Sequence, residues 1–290
     1  MLAVAQILTA ARHRIQGSLK FIFQPAEETA DDVLGPYGGA HEMISDGVLQ
    51  GVDQLYGLHL WNYLPCGAVA VQAGPVMAAC DTFSITVKGK GGHGSTPHLT
   101  VDPIVCGAAL VQGIQTIVSR SSDPFETVAV TVGSFNAGEA PNVIAPVARL
   151  SGTVRTFSSE AQAVVERRMT ELCQGAGQSA GAEVVLQYAK ESPAVVNAEG
   201  PSELVAKALQ KVSPSGLEPV VAMASEDISF FLNAVPGAFF FIGSAPSGAG
   251  GAAAPGHHTE SFDIDEESLL IGASAFVQLI DDMMMSDEIN

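Results

Sequence analysis

"DTFSITVKGK", residues 81–90, is the stretch from which the middle of this chain declares its fold. Phe83, Ile85 and Val87 fall on one face of a strand, and Thr82, Ser84 and Thr86 on the other. A period of two with one polar face marks a half-exposed antiparallel strand. Downstream, Pro103 to Ser119 reads as a long helix, with proline in its first turn. "TVAVTVGSF" (127–135) and "ARLSGTVRTF" (148–157) read as two strands, Glu160 to Gly175 as a second helix, and "AEVVLQY" (182–188) as a last strand. The order is β-α-β-β-α-β, the split ferredoxin-like pattern, over residues 78–190.

The flanks have another rhythm. A helix is expected from Leu2 to Arg14, then a short apolar strand from Ser18 to Phe23 that Pro25 stops. A helical segment from Ala40 to Ser45 precedes the strand "QLYGLHLW" (54–61) and another at Ala68 to Gln72. Beyond residue 190 come a helix at Ser202–Val212, another after "SEDIS" (225–229), the strand "GAFFFIG" (237–243) and a final helix at Asp265–Met284. Strands alternating with helices predict an α/β fold with a mainly parallel, helix-covered sheet. The simplest architecture is a discontinuous α/β domain, residues 1–77 and 191–290, into which an α+β domain, 78–190, is inserted. "GSAPSGAGGAAAPG" (243–256) reads as a low-complexity, mobile loop.

Composition excludes several classes. Of 290 residues, 47% are hydrophobic and only 15% charged, the opposite of a disordered chain. A formal charge of −18 repels phosphate backbones, so no nucleic-acid partner is expected. Two stretches free of Asp, Glu, Lys and Arg, Gln54–Cys80 and Ala234–Thr259, are interrupted by Gly, Pro, His and Asn or Gln and are not membrane helices. Cys66, Cys80, Cys106 and Cys173 lack C-x-x-C spacing and read as buried, reduced thiols of a cytoplasmic protein. Met1 opens on "LAVAQILTAARHR", an amphipathic pattern with no cleavage site, so no secretory leader is expected.

Three places can carry chemistry. In "FQPAEET" the adjacent carboxylates Glu27 and Glu28 follow a strand end, where α/β folds bind ligands. One could ligate a metal while the other acts as a general base, although such a pair also suits a plain solvated loop. His59 in "YGLHLW" is either a hydrogen-bonded core histidine or a metal ligand. His257 and His258 precede "FDIDEE", which looks like an acidic cap on the last helix. A phosphate loop, a serine-hydrolase elbow and H-E-x-x-H spacing are all missing.

The order of the segments is more specific than any one of them. "GSLKFIFQPAEE", "YGLHLW", "GPVMAACDTFSITVKGKGGHGSTPHLTVDPI", "NVIAPVARLSGTVRTF", "SEDISFFL", "PGAFFFIG" and "HHTESFDIDEE" together resemble the amidohydrolase branch of the dinuclear-metal peptidases. That branch includes aminoacylases, hippurate hydrolase, N-acyl-L-amino-acid amidohydrolases and auxin-conjugate hydrolases.

The resemblance implies a metal-dependent amidohydrolase that cleaves the amide of an N-acyl amino acid with a metal-activated water. It makes Glu27 the general base and Glu28, His59 and His258 ligands of divalent zinc, manganese, cobalt or nickel. His257 becomes a neighbour of the site. The inserted domain becomes a lid and homodimerisation domain in which His93 reaches the partner's site and steadies the oxyanion. Asn142 and Arg155 grip substrate, the latter by the bidentate fork that suits a carboxylate. A half-exposed strand at 81–90 ending in "KGKGG" is expected to pair with its twin across that dimer. The family also carries a C-G-H-D-G-H-like motif that would precede Met1, together with the first strands of the catalytic domain. On that count the intact site holds two ions and this chain fewer. The alternative reading is a catalytically impaired remnant that keeps the dimerisation domain.

Overall fold

Residues 237–245, "GAFFFIGSA", are buried along their whole length, as an uninterrupted apolar run predicts for a strand covered on both faces. The computed structural model that places them describes residues 1–28, 38–213, 215–246 and 254–285. The chain folds as two compact units. One comprises Met1–Val76, Val195–Ala222 and Asp227–Asn290; the other comprises Met77–Ala194 and Met223–Glu226.

The first unit contains α1 (Leu2–Ala10), α2 (Gly38–Ser45), β1 (Leu55–Pro65), β2 (Val69–Ala70) and β3 (Gly74–Met77) up to Val76. Its later elements are β10 (Val195–Asn197), α5 (Glu199–Val212), α6 (Ile228–Ala234), β11 (Gly237–Ala245) and α7 (Glu267–Met284). β1 runs parallel to β11, pairing His59 with Phe241, while the short β2 runs antiparallel to β11. Phe240 and Ile242 pack with Val205 and Leu209 of α5 and with Ala275 and Leu279 of α7. The helices thus bury one face of β11. The α/β class holds; within this small sheet only the β1–β11 pair is parallel.

Two expectations on this unit need correction. The helix at Leu2 stops at Ala10, and Arg12–Arg14 form a single 3₁₀ turn. Ser18–Phe23 makes no ladder with any described strand. Its apolar pattern identifies a segment that seeks cover, with Phe21 and Ile22 half-buried. A strand additionally needs a hydrogen-bonding neighbour, which pattern alone cannot specify. Residues 247–253 of the Gly/Ala/Pro loop lie outside the described residues.

The second unit contains β4 (Ala79–Lys88), β5 (Gly92–His93), α3 (Pro103–Thr116), β6 (Val128–Ala137), β7 (Val143–Ile144), β8 (Val147–Thr156), α4 (Ser159–Ala180) and β9 (Glu183–Ser192). Its main sheet has the order β6-β8-β4-β9, antiparallel throughout. Phe83, Ile85 and Val87 point into a core shared with Leu110 and Ile114 of α3 and Val165 and Met169 of α4. Caps set the helix limits. The Asp102 carboxylate accepts from the Ile104 N–H, and the Ser158 hydroxyl from the Ala161 N–H. Gly181, at φ 67°, ends α4 in the left-handed conformation. That leaves α4 longer at both ends than Glu160–Gly175. α3 passes at Ile117 into a wider π-type turn.

β4 is a central strand, flanked by β8 and β9. Its backbone groups are therefore spent within the chain, and it cannot pair with its twin. The sheet's edges are β6 and β9. An alternating pattern marks a strand with one wet face, which says nothing about its sides.

Candidate metal centre

Glu27 and Glu28 lie just past Pro25, on a segment tied down at both ends by one buried carboxylate. Asp227 accepts a hydrogen bond from the Gln24 side-chain amide and, at 3.1 Å, from the Ala40 N–H. Burial pushes the Asp227 carboxyl above its ordinary range, and those two donors oppose the rise. Gly39 packs so closely on this segment that a Cβ there would stand 1.8 Å from the Pro25 carbonyl oxygen. Ala26 adopts φ 48°, a left-handed conformation rare outside glycine, immediately before the glutamates. A carboxylate oxygen of Glu27 lies within 4.8 Å of one of Asp227.

His59 sits on β1 beside Phe239 and Trp61. Its Nδ1 donates to the Leu60 carbonyl at 2.5 Å, which puts the ring's proton on Nδ1 and the lone pair on Nε2. A metal-binding imidazole takes this form, its second nitrogen held by a backbone carbonyl. Burial lowers the His59 pKa below 6.5, keeping the ring neutral, while the Glu28 carboxylate pulls the other way.

His258 stands at φ 62°, again left-handed, and its Nε2 lies 3.7 Å from Glu28 Oε1. Both side chains are about 70% exposed, at 72% and 70%, and an exposed ion pair is worth little. Backbone placement accounts better for their meeting than mutual attraction. Zinc–ligand bonds are about 2.0–2.2 Å, so two donors on one tetrahedral ion stand about 3.4 Å apart. The observed separation is close to that. Two imidazole nitrogens and a carboxylate oxygen are also the donor types that zinc and its neighbours take. Glu28 and His258 therefore approach at a ligand-like distance, and the three donor types suit a divalent ion, but the donor atoms of Glu28, His59 and His258 do not all lie within 4.8 Å of one another.

His257 belongs to an aromatic cluster. Its ring packs against His59, Trp61, Tyr63 and Phe262, with centroids 5.2–5.6 Å apart. Its Nε2 accepts from the Asn62 N–H at 3.2 Å. Sequence reading passed over two contributors here, Asn62 and Asp227. Asn62 lies in none of the motifs, and Asp227 lies within "SEDISFFL" without a role assigned to it; both are buried, at 0% and 7% exposure.

The remaining candidates lie in the second unit. His93 is exposed at the end of β5, and its Nδ1 accepts from the Ser95 N–H at 3.1 Å. That fixes the tautomer, with Nε2–H as an outward donor. β5 pairs with β7, setting His93 opposite Val143, while the Gly94 N–H donates to the Asn142 carbonyl at 2.8 Å. His93 and Asn142 thus share one small ribbon. Arg155, near the end of β8, donates from Nη1 to the Ser225 hydroxyl at 2.7 Å and is half-buried, so it is not a loose strand end.

The profile of "Peptidase family M20/M25/M40" matches residues 1–282. An N-acetylcysteine deacetylase of Bacillus subtilis (strain 168) is 31% identical over 279 residues, which are 96% of this chain and 70% of that protein. An N-acyl-L-amino acid amidohydrolase of Geobacillus stearothermophilus is 42% identical over 188 residues, 65% of this chain and 49% of that protein. Among solved structures, a Bacillus subtilis protein described as a dinuclear metal-binding peptidase of the M20 family superposes with a TM-score of 0.77 at 28% identity. The match covers 96% of this chain and 68% of that one. With nearly its whole length matched, the chain belongs to the peptidase family M20/M25/M40, a family of hydrolytic enzymes.

Proposed function

We propose that this protein is a metal-dependent amidohydrolase that removes the acyl group from N-acyl amino acids. The observation that carries the reading is the meeting of Glu28 with His258, next to Glu27 in the chain and near enough to His59 to act on its charge. Two relatives named for N-acyl amino acids support the substrate class. Bound at those ligands, zinc, manganese, cobalt or nickel would supply Lewis-acid polarisation of the amide carbonyl and acidify a water.

The chain's own residues do the rest. Glu27 takes the proton of the attacking water and passes it to the leaving nitrogen, so that the C–N bond breaks into a carboxylate and a free amino acid. His93, with Nε2–H as donor, steadies the negative charge growing on the carbonyl oxygen. Asn142 and Arg155 hold the amino acid's carboxylate. The second unit serves as lid and homodimer contact, with β6 and β9 as the strand edges open to a partner. No helix among the described residues is long and apolar enough to cross a membrane. All four cysteines are free thiols, which suits the cytoplasm.

The test is hydrolysis of hippurate and a panel of N-acetyl amino acids after dialysis against a chelator. Release of free amino acid is expected only on adding back zinc or manganese. Binding of the metal with no cleavage of any N-acyl amino acid would overturn the substrate class, and cleavage unaffected by chelation would overturn the metal reading.

A further inference from the structure

We infer that Asn62 is a positioning residue that sets the location of the His258 ligand. The inference rests on the metal reading of His258 above, and it concerns a side chain three positions beyond His59 that is wholly buried.

β1 pairs regularly with β11 up to Trp61 and Gly243, and then the register slips: Pro65 is next, opposite Ala245. Four residues of β1 thus advance against two of β11. A bulge of this kind turns a side chain out of its regular alternation and releases backbone groups from the ladder. Asn62 is the first residue of the irregular stretch. Its N–H donates to His257 Nε2 at 3.2 Å instead of entering the ladder. Its side-chain amide donates from Nδ2 to the Pro255 carbonyl at 2.7 Å. Its Oδ1 accepts from the Ser244 hydroxyl at 3.2 Å, and Ser244 is itself fully buried on β11.

One residue thus grips the chain at 255 and again at 257, on both sides of Gly256 and directly before His258. The clamp leaves His258 little freedom. His257 is pinned by its ring partners and its nitrogen, and His258 takes the left-handed φ of 62° that carries Nε2 toward Glu28. A non-glycine residue persists in that conformation only where its surroundings over-determine it. A buried Asn whose amide reaches a loop carbonyl, with a buried serine orienting the amide, supplies such surroundings. Asn62 would touch neither metal nor substrate. It acts through the backbone of residues 255–257.

The experiment measures zinc affinity by competition with a chromophoric chelator for the parent chain, Asn62→Ala, His258→Ala and the double variant. Far-UV circular dichroism of each metal-free chain checks folding. Loss of an outer-shell partner typically costs about 10–100-fold in metal affinity. Asn62→Ala is expected to weaken zinc by that factor, and His258→Ala by at least as much. The double variant should be no weaker than His258→Ala alone, because Asn62 acts only through that ligand. Additive losses, or parent-like affinity in Asn62→Ala while His258→Ala is impaired, would overturn the positioning role and leave the metal reading standing. Parent-like affinity in His258→Ala would overturn the metal reading and the inference with it. If Asn62→Ala does not fold, Ser244→Ala, which removes only the support of the amide, takes its place in the same cycle with the same expected non-additivity.

Discussion

At the scale of single residues, Glu27 and Glu28 are chemically identical neighbours with different assignments. Glu28 meets His258, whereas Glu27 lies near the buried Asp227. The difference predicts separable effects. Glu27→Gln should lower amide hydrolysis by about 10²- to 10⁴-fold, the usual worth of a general base, while zinc affinity stays near the parent's. Retention of more than half the activity would show that Glu27 is not the base. A second residue-scale expectation concerns pH. Asp81 is 1% exposed, and burial raises its carboxyl above the ordinary 3.8. Hydrogen bonds from the Tyr188 hydroxyl (2.6 Å) and the Gln162 amide (2.8 Å) only partly oppose that rise. With the folded pKa above the unfolded one, the folded state holds the proton longer. This group's contribution to stability is therefore fully present below 3.8 and is lost as pH rises through the folded pKa. A carbon-13 titration of the Asp81 carboxyl should give a midpoint above 3.8. A midpoint at or below that value would contradict the account.

Among the elements, the entry to α2 shows how a loop's position depends on one missing methyl group. Gly39 sits where a Cβ would run into the Pro25 carbonyl oxygen, a backbone atom that cannot swing aside. Gly39→Ala should therefore push residues 25–28 away from α2. The expected cost is about 1–3 kcal/mol of stability, as for other overpacked sites. Denaturant unfolding reads that cost. Zinc affinity should fall as well, because Glu28 rides on the displaced segment. Unchanged values of both would mean that α2 and the glutamate segment move together. The bulge in β1 is the second element-scale device. A perfectly regular strand would commit Asn62 to the ladder and leave the 255–257 segment without its clamp.

For the whole molecule, the candidate residues divide between the two units, with the ligands and base in the first and His93, Asn142 and Arg155 in the second. If the site is completed by a partner subunit, catalysis needs two chains. Mixing a His93→Ala chain with a Glu27→Gln chain, each nearly inactive alone, should then restore activity once subunits exchange. A mixed dimer contains one site with an intact Glu27 and an intact partner His93. Confirmed exchange without recovery would place His93 in its own subunit's site or outside catalysis, and a chain that remains monomeric would rule out the dimer.

Local physics made much of this legible without coordinates. The period-two pattern of 81–90, the proline in the first turn of α3 and the apolar run at 237–243 each mark an element by interactions within a few residues. The family, too, was readable from the order of motifs. Who neighbours whom was not. Ser18–Phe23 has a strand's composition but makes no ladder with any described strand, and β4, expected to pair with its twin, has both sides taken within the chain. Pairing joins residues far apart in sequence, and alternation reports only which face is dry. The site divides the same way. Glu27, Glu28, His59 and His258 were candidates by residue type and motif. The approach of His258 to Glu28, the left-handed backbone at His258 and the grip of Asn62 on residues 255–257 appear only in the fold, where β1 and the 255–258 segment, nearly two hundred residues apart in the chain, meet.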